Sequence, residues 1–306
     1  MSLQMAMVRP PSPVLRYFAD DNNQRSEIGD RGNIEDDAVG GLRVVVIQQP
    51  QRIDRHLSEM TLGLAEAGKR ALVIPAGEHT TIDESSLRAL DYKVDAIVIM
   101  GGSVSERIVE TLQAARVPLF LFGWDHEGKS SIGISWDNAM GSAIAARYLV
   151  RAGRRAFAYI GKKAGTFSDR NRRQGYSDEL GRLGFALHAE ADDETTYEGG
   201  RRAASHLFSA GDPPDALFCI NDTMAFGALQ AAREFKLAVP DDVAVIGFDD
   251  QPMASWHAFE LTTIGYDPNA LARLATRKIL DALERDESAP RSFYIQPQLV
   301  IRRTTP

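Results

Sequence analysis

From Leu42 onward, short apolar runs alternate with amphipathic stretches. Leu42–Ile47 (LRVVVI) is continuous and β-branched, the texture of a strand buried on both faces. Asp54 can cap a helix running to about Ala67, where Gly68 stops it. The pattern then predicts a strand over Arg70–Ile74, a helix over Asp83–Leu90, a strand over Asp95–Met100 and a helix over Ser105–Ala115. Pro118–Phe122 and Ile132–Trp136 read as strands, and Asp137 caps a helix to about Ala152. Ala156–Ile160 is a further strand. Near Gly161 the same alternation restarts, with helices over Asp169–Leu183 and Gly199–Ser209.

The unit from Leu217 to Asp250 is the most regular. Leu217–Ile220 and Val243–Phe248 are short apolar strands, and Thr223–Phe235 between them has the spacing of an Ala-rich amphipathic helix. Two strands joined by a helix are parallel, with a right-handed crossover. Leu261–Tyr266 is another strand, Leu271–Leu283 a helix, and Tyr294–Arg302 a terminal strand. The fold class is therefore α/β, in two successive parallel halves that suggest two lobes. Residues 1–41 differ: Asp20–Gly41 is rich in Asp, Asn, Glu and Gly without apolar periodicity, and reads as an arm or linker.

Composition adds bounds. A chain of 306 residues is long enough for two domains. A formal net charge of −7 excludes nucleic-acid binding by bulk electrostatics. The chain shows neither a bilayer-spanning apolar run nor a secretory signal, so a cytoplasmic protein is expected. The single cysteine, Cys219, falls inside a predicted strand and reads as an inert core residue.

Enzyme motifs are weak. Gly123–Ser130 (GWDHEGKS) matches the phosphate-loop pattern after a predicted strand. Its interior is bulky and carries Asp125 and Glu127, which repel phosphate, and the residues after Lys129 alternate like a strand where a helix is required. It is read as a decoy. The histidines show no metal-ligand spacing, and neither GxSxG nor GxGxxG occurs, so no cofactor, metal or catalytic residue is expected. What remains is a set of polar and aromatic groups at strand exits: Gln48 and Gln49, Trp124 and Asp125, Asp169, Arg170 and Arg172, Asn221 and Asp222, and Asp249. Carboxylate, amide and guanidinium groups beside an aromatic face suit a polyhydroxylated ligand. Asp222 is equally well read as a helix N-cap, and Arg173 as facing solvent. Arg172 and Asp249 lead the candidates, because small ligands sit at the carboxyl edge of open α/β sheets.

At these residues the chain resembles the lactose/galactose repressor family in its effector-binding core. The resemblance rests on Ser135–Gly161 (SWDNAMGSAIAARYLVRAGRRAFAYIG), Arg172–Tyr176 (RRQGY), Cys219–Asp250 and Glu260–Pro268 (ELTTIGYDP). It implies a two-lobed, periplasmic-binding-protein-like fold, each lobe a parallel sheet flanked by helices. It also implies three crossovers, placed near Gly161, Ile264 and Arg291. The lobes would then be 42–161 plus 265–290, and 162–264 plus 291–306. The family's ligand contacts carry over to Arg172, Asn221 and Asp249, its aromatic position to Trp124, and its cleft-lining loop to Gln48 and Gln49. Tyr197 aligns less cleanly. Gly123 stands where the family is usually acidic, leaving Asp125 as the substitute.

The implied function is an effector-sensing domain of a transcriptional regulator, with a sugar-like small molecule between the lobes and lobe closure coupled to DNA binding. A homodimer is implied, through Arg55–Ala67 and Leu271–Leu283, with no membrane partner. The family's helix-turn-helix head has no counterpart pattern in residues 1–41, so this chain is expected to meet operator DNA only through a head outside it. The rivals are a secreted sugar-binding protein of an uptake system and a phosphate-loop nucleotide hydrolase.

Overall fold

A computed structural model describes residues 43–48, 55–76, 80–101, 104–124, 131–163, 165–285 and 291–306. The expected arm at 1–41 and the Asp54 cap lie outside the described residues. The chain forms two compact units, the first reaching Ile134 and regaining Pro268–Ser292, the second holding Ser135–Asp267 and Phe293–Pro306.

In the first unit β1 (Arg43–Gln48), α1 (Arg55–Glu66), β2 (Arg70–Pro75), α2 (Ile82–Leu90), β3 (Ala96–Met100), α3 (Glu106–Ala114), β4 (Leu119–Phe122) and β5 (Ile132–Trp136) follow in turn. Strands β2, β1, β3, β4 and β5 lie side by side and parallel. Val45, Ile47, Ile97, Ile99 and Leu121 meet Ile108 and Leu112 of α3 in a core beside this sheet. Ser105 caps α3, its hydroxyl accepting from the Ile108 N–H.

The second unit contains α4 (Asn138–Arg151), β6 (Phe157–Lys162), α5 (Phe167–Arg182), β7 (Leu187–Asp193), α6 (Tyr197–Phe208), β8 (Ala216–Cys219), α7 (Asp222–Glu234), β9 (Ala244–Phe248) and β10 (Thr262–Gly265). Helix α8 (Pro268–Arg285) returns to the first unit and packs on α1. Strand β11 (Arg291–Ile295) then joins the first sheet and β12 (Gln298–Val300) the second. The second sheet has the order β12-β10-β9-β8-β6-β7, parallel except for β12. Tyr159, Tyr176, Phe218 and Phe226 fill its core. Cys219 is buried in β8, and burial pushes its thiol pKa well up.

Three expectations need correction. The first passage between units lies after Ile134, not near Gly161. Strand β6 pairs with β7 and β8, so 157–162 is central to the second sheet. Strand–helix alternation reads the same whichever sheet a strand joins. The other two passages follow Asp267 and Ser292. The terminal strand is in fact two strands in different sheets, and Pro297 between them lacks the N–H a continuous ladder needs. Strand β7 (LHAEADD) was not expected at all. It is an edge strand with alternating exposure, and its small and acidic residues carry little β-propensity.

Candidate functional site

In the second sheet β6 and β8 are neighbours, with β7 beyond β6 and β9 beyond β8. The strand order thus reverses between β6 and β8. Ligands in open α/β sheets sit at the carboxyl ends of strands flanking such a switch point. Those ends here are Lys162, Cys219–Ile220 and Phe248–Asp249.

Helix α5 delivers Arg172 to that edge. It starts where the Thr166 hydroxyl accepts from the Asp169 N–H, 3.3 Å. It lies flush on α4 because residue 175 is glycine. A Cβ there would stand 2.5 Å from the Ala139 carbonyl oxygen. This approach brings Arg172 against Asn138, the first residue of α4. The Arg172 Nε donates to Asn138 Oδ1 at 2.7 Å, one Nη to the Ile220 carbonyl, and the other Nη to Asp249 Oδ1 at 3.2 Å. Its guanidinium carbon stands 3.5 Å from the centroid of the Phe248 ring. Arg172 is only 3% exposed, so the cation depends on these acceptors to offset its lost hydration. Three of the five guanidinium N–H groups are used in this way.

Asp249 is the open member of the pair, with its side chain 24% exposed. Its φ is +104°, in territory that an L-residue rarely adopts, and its backbone N–H donates to Ile264 O at 2.8 Å. The strained backbone aims a carboxylate that borders both Arg172 and solvent. Behind it, Asp222 is fully buried and accepts from Thr263 Oγ1 at 2.5 Å and Gln251 N–H at 2.6 Å. Burial, then the neighbouring Asp249, hold the Asp222 pKa well above the usual carboxylate range, against the pull of those two hydrogen bonds.

The structure brings Arg172 and Asp249 together and sorts the other candidates. Asn221, not Asp222, is the N-cap of α7. Its Oδ1 accepts from the Met224 N–H at 3.0 Å, so that oxygen is committed to the helix. Asp169 is buried under β6, accepting from Tyr159 Oη at 3.1 Å and Lys162 N–H at 3.2 Å, while Arg170 is exposed. Arg173 does not face solvent as expected. It lies over the Tyr159 ring and pairs with Asp169, Glu190 and Asp192. Burial lowers its pKa, but the hydrogen bond to Asp192 and the surrounding carboxylates more than reverse this. The acids on the unforeseen strand β7 explain the difference. Tyr197 opens α6, and its carbonyl backs onto Gly227 of α7. Trp124, in the first unit, packs against that unit's core. Gln48 ends β1. Gln49 and Asp125 lie outside the described residues.

Sequence reasoning missed Asn138, Trp136, Tyr266 and Phe248 as parts of this group. Asn138 Oδ1 also accepts from Trp136 Nε1 at 3.0 Å, and the Trp136 ring stacks on Tyr266, centroids 4.3 Å apart and nearly coplanar at 8°. The polar run Trp136-Asp137-Asn138 at a strand exit was the available signal, and the capping role of Asp137 obscured it. The phosphate-loop pattern leads into strand β5, where a helix would be required. Among the described residues no group of His, Cys, Asp or Glu is arranged to hold a metal, and no helix is long and apolar enough to cross a membrane.

Comparison with known proteins places this geometry in context. The family described as periplasmic binding protein-like domain matches residues 146–305, just over half of the chain. The ribose operon repressor of Haemophilus influenzae is 25% identical over 298 residues, covering 95% of this chain and 88% of the repressor. The HTH-type transcriptional repressor PurR of Vibrio campbellii is 28% identical over 217 residues, and the chain spans 65% of its length. Among solved structures, a regulatory protein of the LacI family from Chloroflexus aggregans superposes with a TM-score of 0.77 at 25% identity, covering 86% of this chain and 98% of that one. A LacI family transcriptional regulator from Enterococcus faecium with bound ribose gives 0.73 at 20% identity, over 86% and 98% of the two chains, a likeness of fold.

Proposed function

The chain belongs to the periplasmic binding protein-like domain family, in its LacI-type regulator branch, and on that premise we propose that Arg172 and Asp249 hold the effector of a transcriptional regulator, a small polyhydroxylated metabolite of the sugar class. The observation that carries the reading is the Arg172–Asp249 pair at the switch point of the second sheet. A guanidinium with N–H groups to spare beside a part-exposed carboxylate offers donors and acceptors to adjacent hydroxyls. The ribose repressor relative and the ribose-bound neighbour support a sugar. The effector would act by population shift, through a difference in affinity between two arrangements of the two units. Its coupling to DNA affinity would be about 1–3 kcal/mol, as is typical of such switches. Operator contact would come from a head outside residues 42–306, in a cytoplasmic homodimer.

A thermal-shift screen with D-ribose, other pentoses, hexoses, polyols, sugar phosphates, nucleosides and ATP tests this. A true effector at about a hundred times its Kd stabilises by about 2.7 kcal/mol. That stabilisation is expected to vanish in Arg172→Ala and Asp249→Ala while both variants remain folded. Stabilisation retained in both would reject the site. Stabilisation by ATP that Lys129→Ala abolishes would favour the nucleotide rival, and export of the protein from the cell would favour the uptake rival.

A further inference from the structure

The chain passes between its two units at three places, after Ile134, Asp267 and Ser292. The second unit ties the residues beside all three passages to one another. Trp136 stacks on Tyr266, and the Asp137 N–H donates to the Ile295 carbonyl at 3.2 Å. Asn138 connects this knot to the candidate site through one oxygen, beside a longer approach of the Arg172 guanidinium to the Trp136 ring at 6.0 Å from its centroid. Its Oδ1 accepts from Trp136 Nε1 at 3.0 Å and from Arg172 Nε at 2.7 Å. A carbonyl oxygen has two lone pairs, so both are filled. Asn138 and Trp136 are only 4% and 7% exposed, which leaves water little room to replace either bond.

We propose that Asn138 is a positioning residue that couples Arg172 to the connecting segments. Any displacement of the guanidinium towards a ligand alters the acceptor that also fixes the Trp136 indole, and through the Trp136–Tyr266 stack the displacement reaches two of the three passages. The warrant is the shared acceptor atom, a physical link rather than mere proximity. Its role as an effector relay rests on the function proposed above. The link itself is tested without a ligand.

The test follows the Trp136 indole N–H resonance in the unliganded protein by two-dimensional NMR, assigned with Trp136→Phe. Arg172→Lys removes the Nε donor and is expected to move that resonance. In Asn138→Ala the indole is expected to exchange faster by about fivefold, the factor one neutral hydrogen bond is worth. Arg172→Lys added to it should then produce only the smaller shift that loss of the ring contact, 6.0 Å from the centroid, leaves behind. Asn138→Asp keeps an acceptor oxygen and should restore the response to Arg172→Lys, which a purely structural loss would not. If Asn138→Ala fails to fold, Arg172→Lys alone and in Asn138→Asp still decides. An indole resonance that ignores Arg172→Lys, or that responds equally with and without Asn138, overturns the coupling. Neither outcome depends on which ligand binds, so a failed effector screen and a failed relay remain distinguishable.

Discussion

Asp249 combines a strained backbone with an exposed carboxylate, and two substitutions separate these contributions. Asp249→Ala removes the carboxylate and leaves the backbone at φ +104°. Breaking a fully buried ion pair costs about 3–5 kcal/mol. Here Arg172 keeps Asn138 and the Ile220 carbonyl, and Asp249 is 24% exposed, so about 1–2 kcal/mol is expected. Asp249→Gly removes the same carboxylate and also relieves the strain. A non-glycine residue in such a region costs about 1–3 kcal/mol. The extra freedom of glycine in the unfolded chain takes back about 0.5–1 kcal/mol. Asp249→Gly should therefore be more stable than Asp249→Ala by about 1 kcal/mol and should fall close to the wild type. Urea unfolding with unchanged m-values reads the difference. If the two variants unfold together, or the glycine variant unfolds first, the claim that strain is held at Asp249 for the sake of its carboxylate is wrong.

Two buried or paired carboxylates and one helix contact can be tested in the same way. Asp222 has a raised pKa in the folded state, so between the ordinary carboxylate value and that raised value the native protein binds the extra proton, and stability falls as pH rises. Asp222→Asn can still accept from the Gln251 N–H and donate to Thr263 Oγ1, and it should flatten this fall when urea midpoints at pH 5 and 7 are compared. Glu179 has its pKa lowered to about 2, first by its hydrogen bond to Arg182 and also by Arg147. Its stabilisation is complete above the ordinary glutamate value and disappears as pH falls through about 2. Glu179→Gln should therefore weaken the protein at pH 7 and make no difference at the acid end of a pH series. Gly227→Ala places a Cβ 2.0 Å from the Tyr197 carbonyl oxygen, forcing α6 and α7 apart, and should cost about 1–3 kcal/mol in urea unfolding.

Much of this protein is legible in its sequence. Apolar runs such as RVVVI and AVIGF can only be strands buried on both faces, and Ala-rich amphipathic stretches between them dictate parallel α/β units, because periodicity is a local property. Arg172 and Asp249 were legible as candidates because strand exits in such sheets are where ligands sit. The sequence could not say which sheet each strand would join. That misplaced the first passage near Gly161, hid β7 and merged β11 with β12, since pairing is a contact between segments far apart in the chain. Nor could it show that Arg173 meets three carboxylates, two of them on β7, that Asn221 rather than Asp222 caps α7, or that one Asn138 oxygen serves both Trp136 and Arg172. Local pattern determined the elements and the sheet edge at which ligands sit in such folds. Only tertiary packing, through close approaches such as Gly175 on Ala139, decided which polar groups became partners, because a buried hydrogen bond depends on where two separate backbones meet.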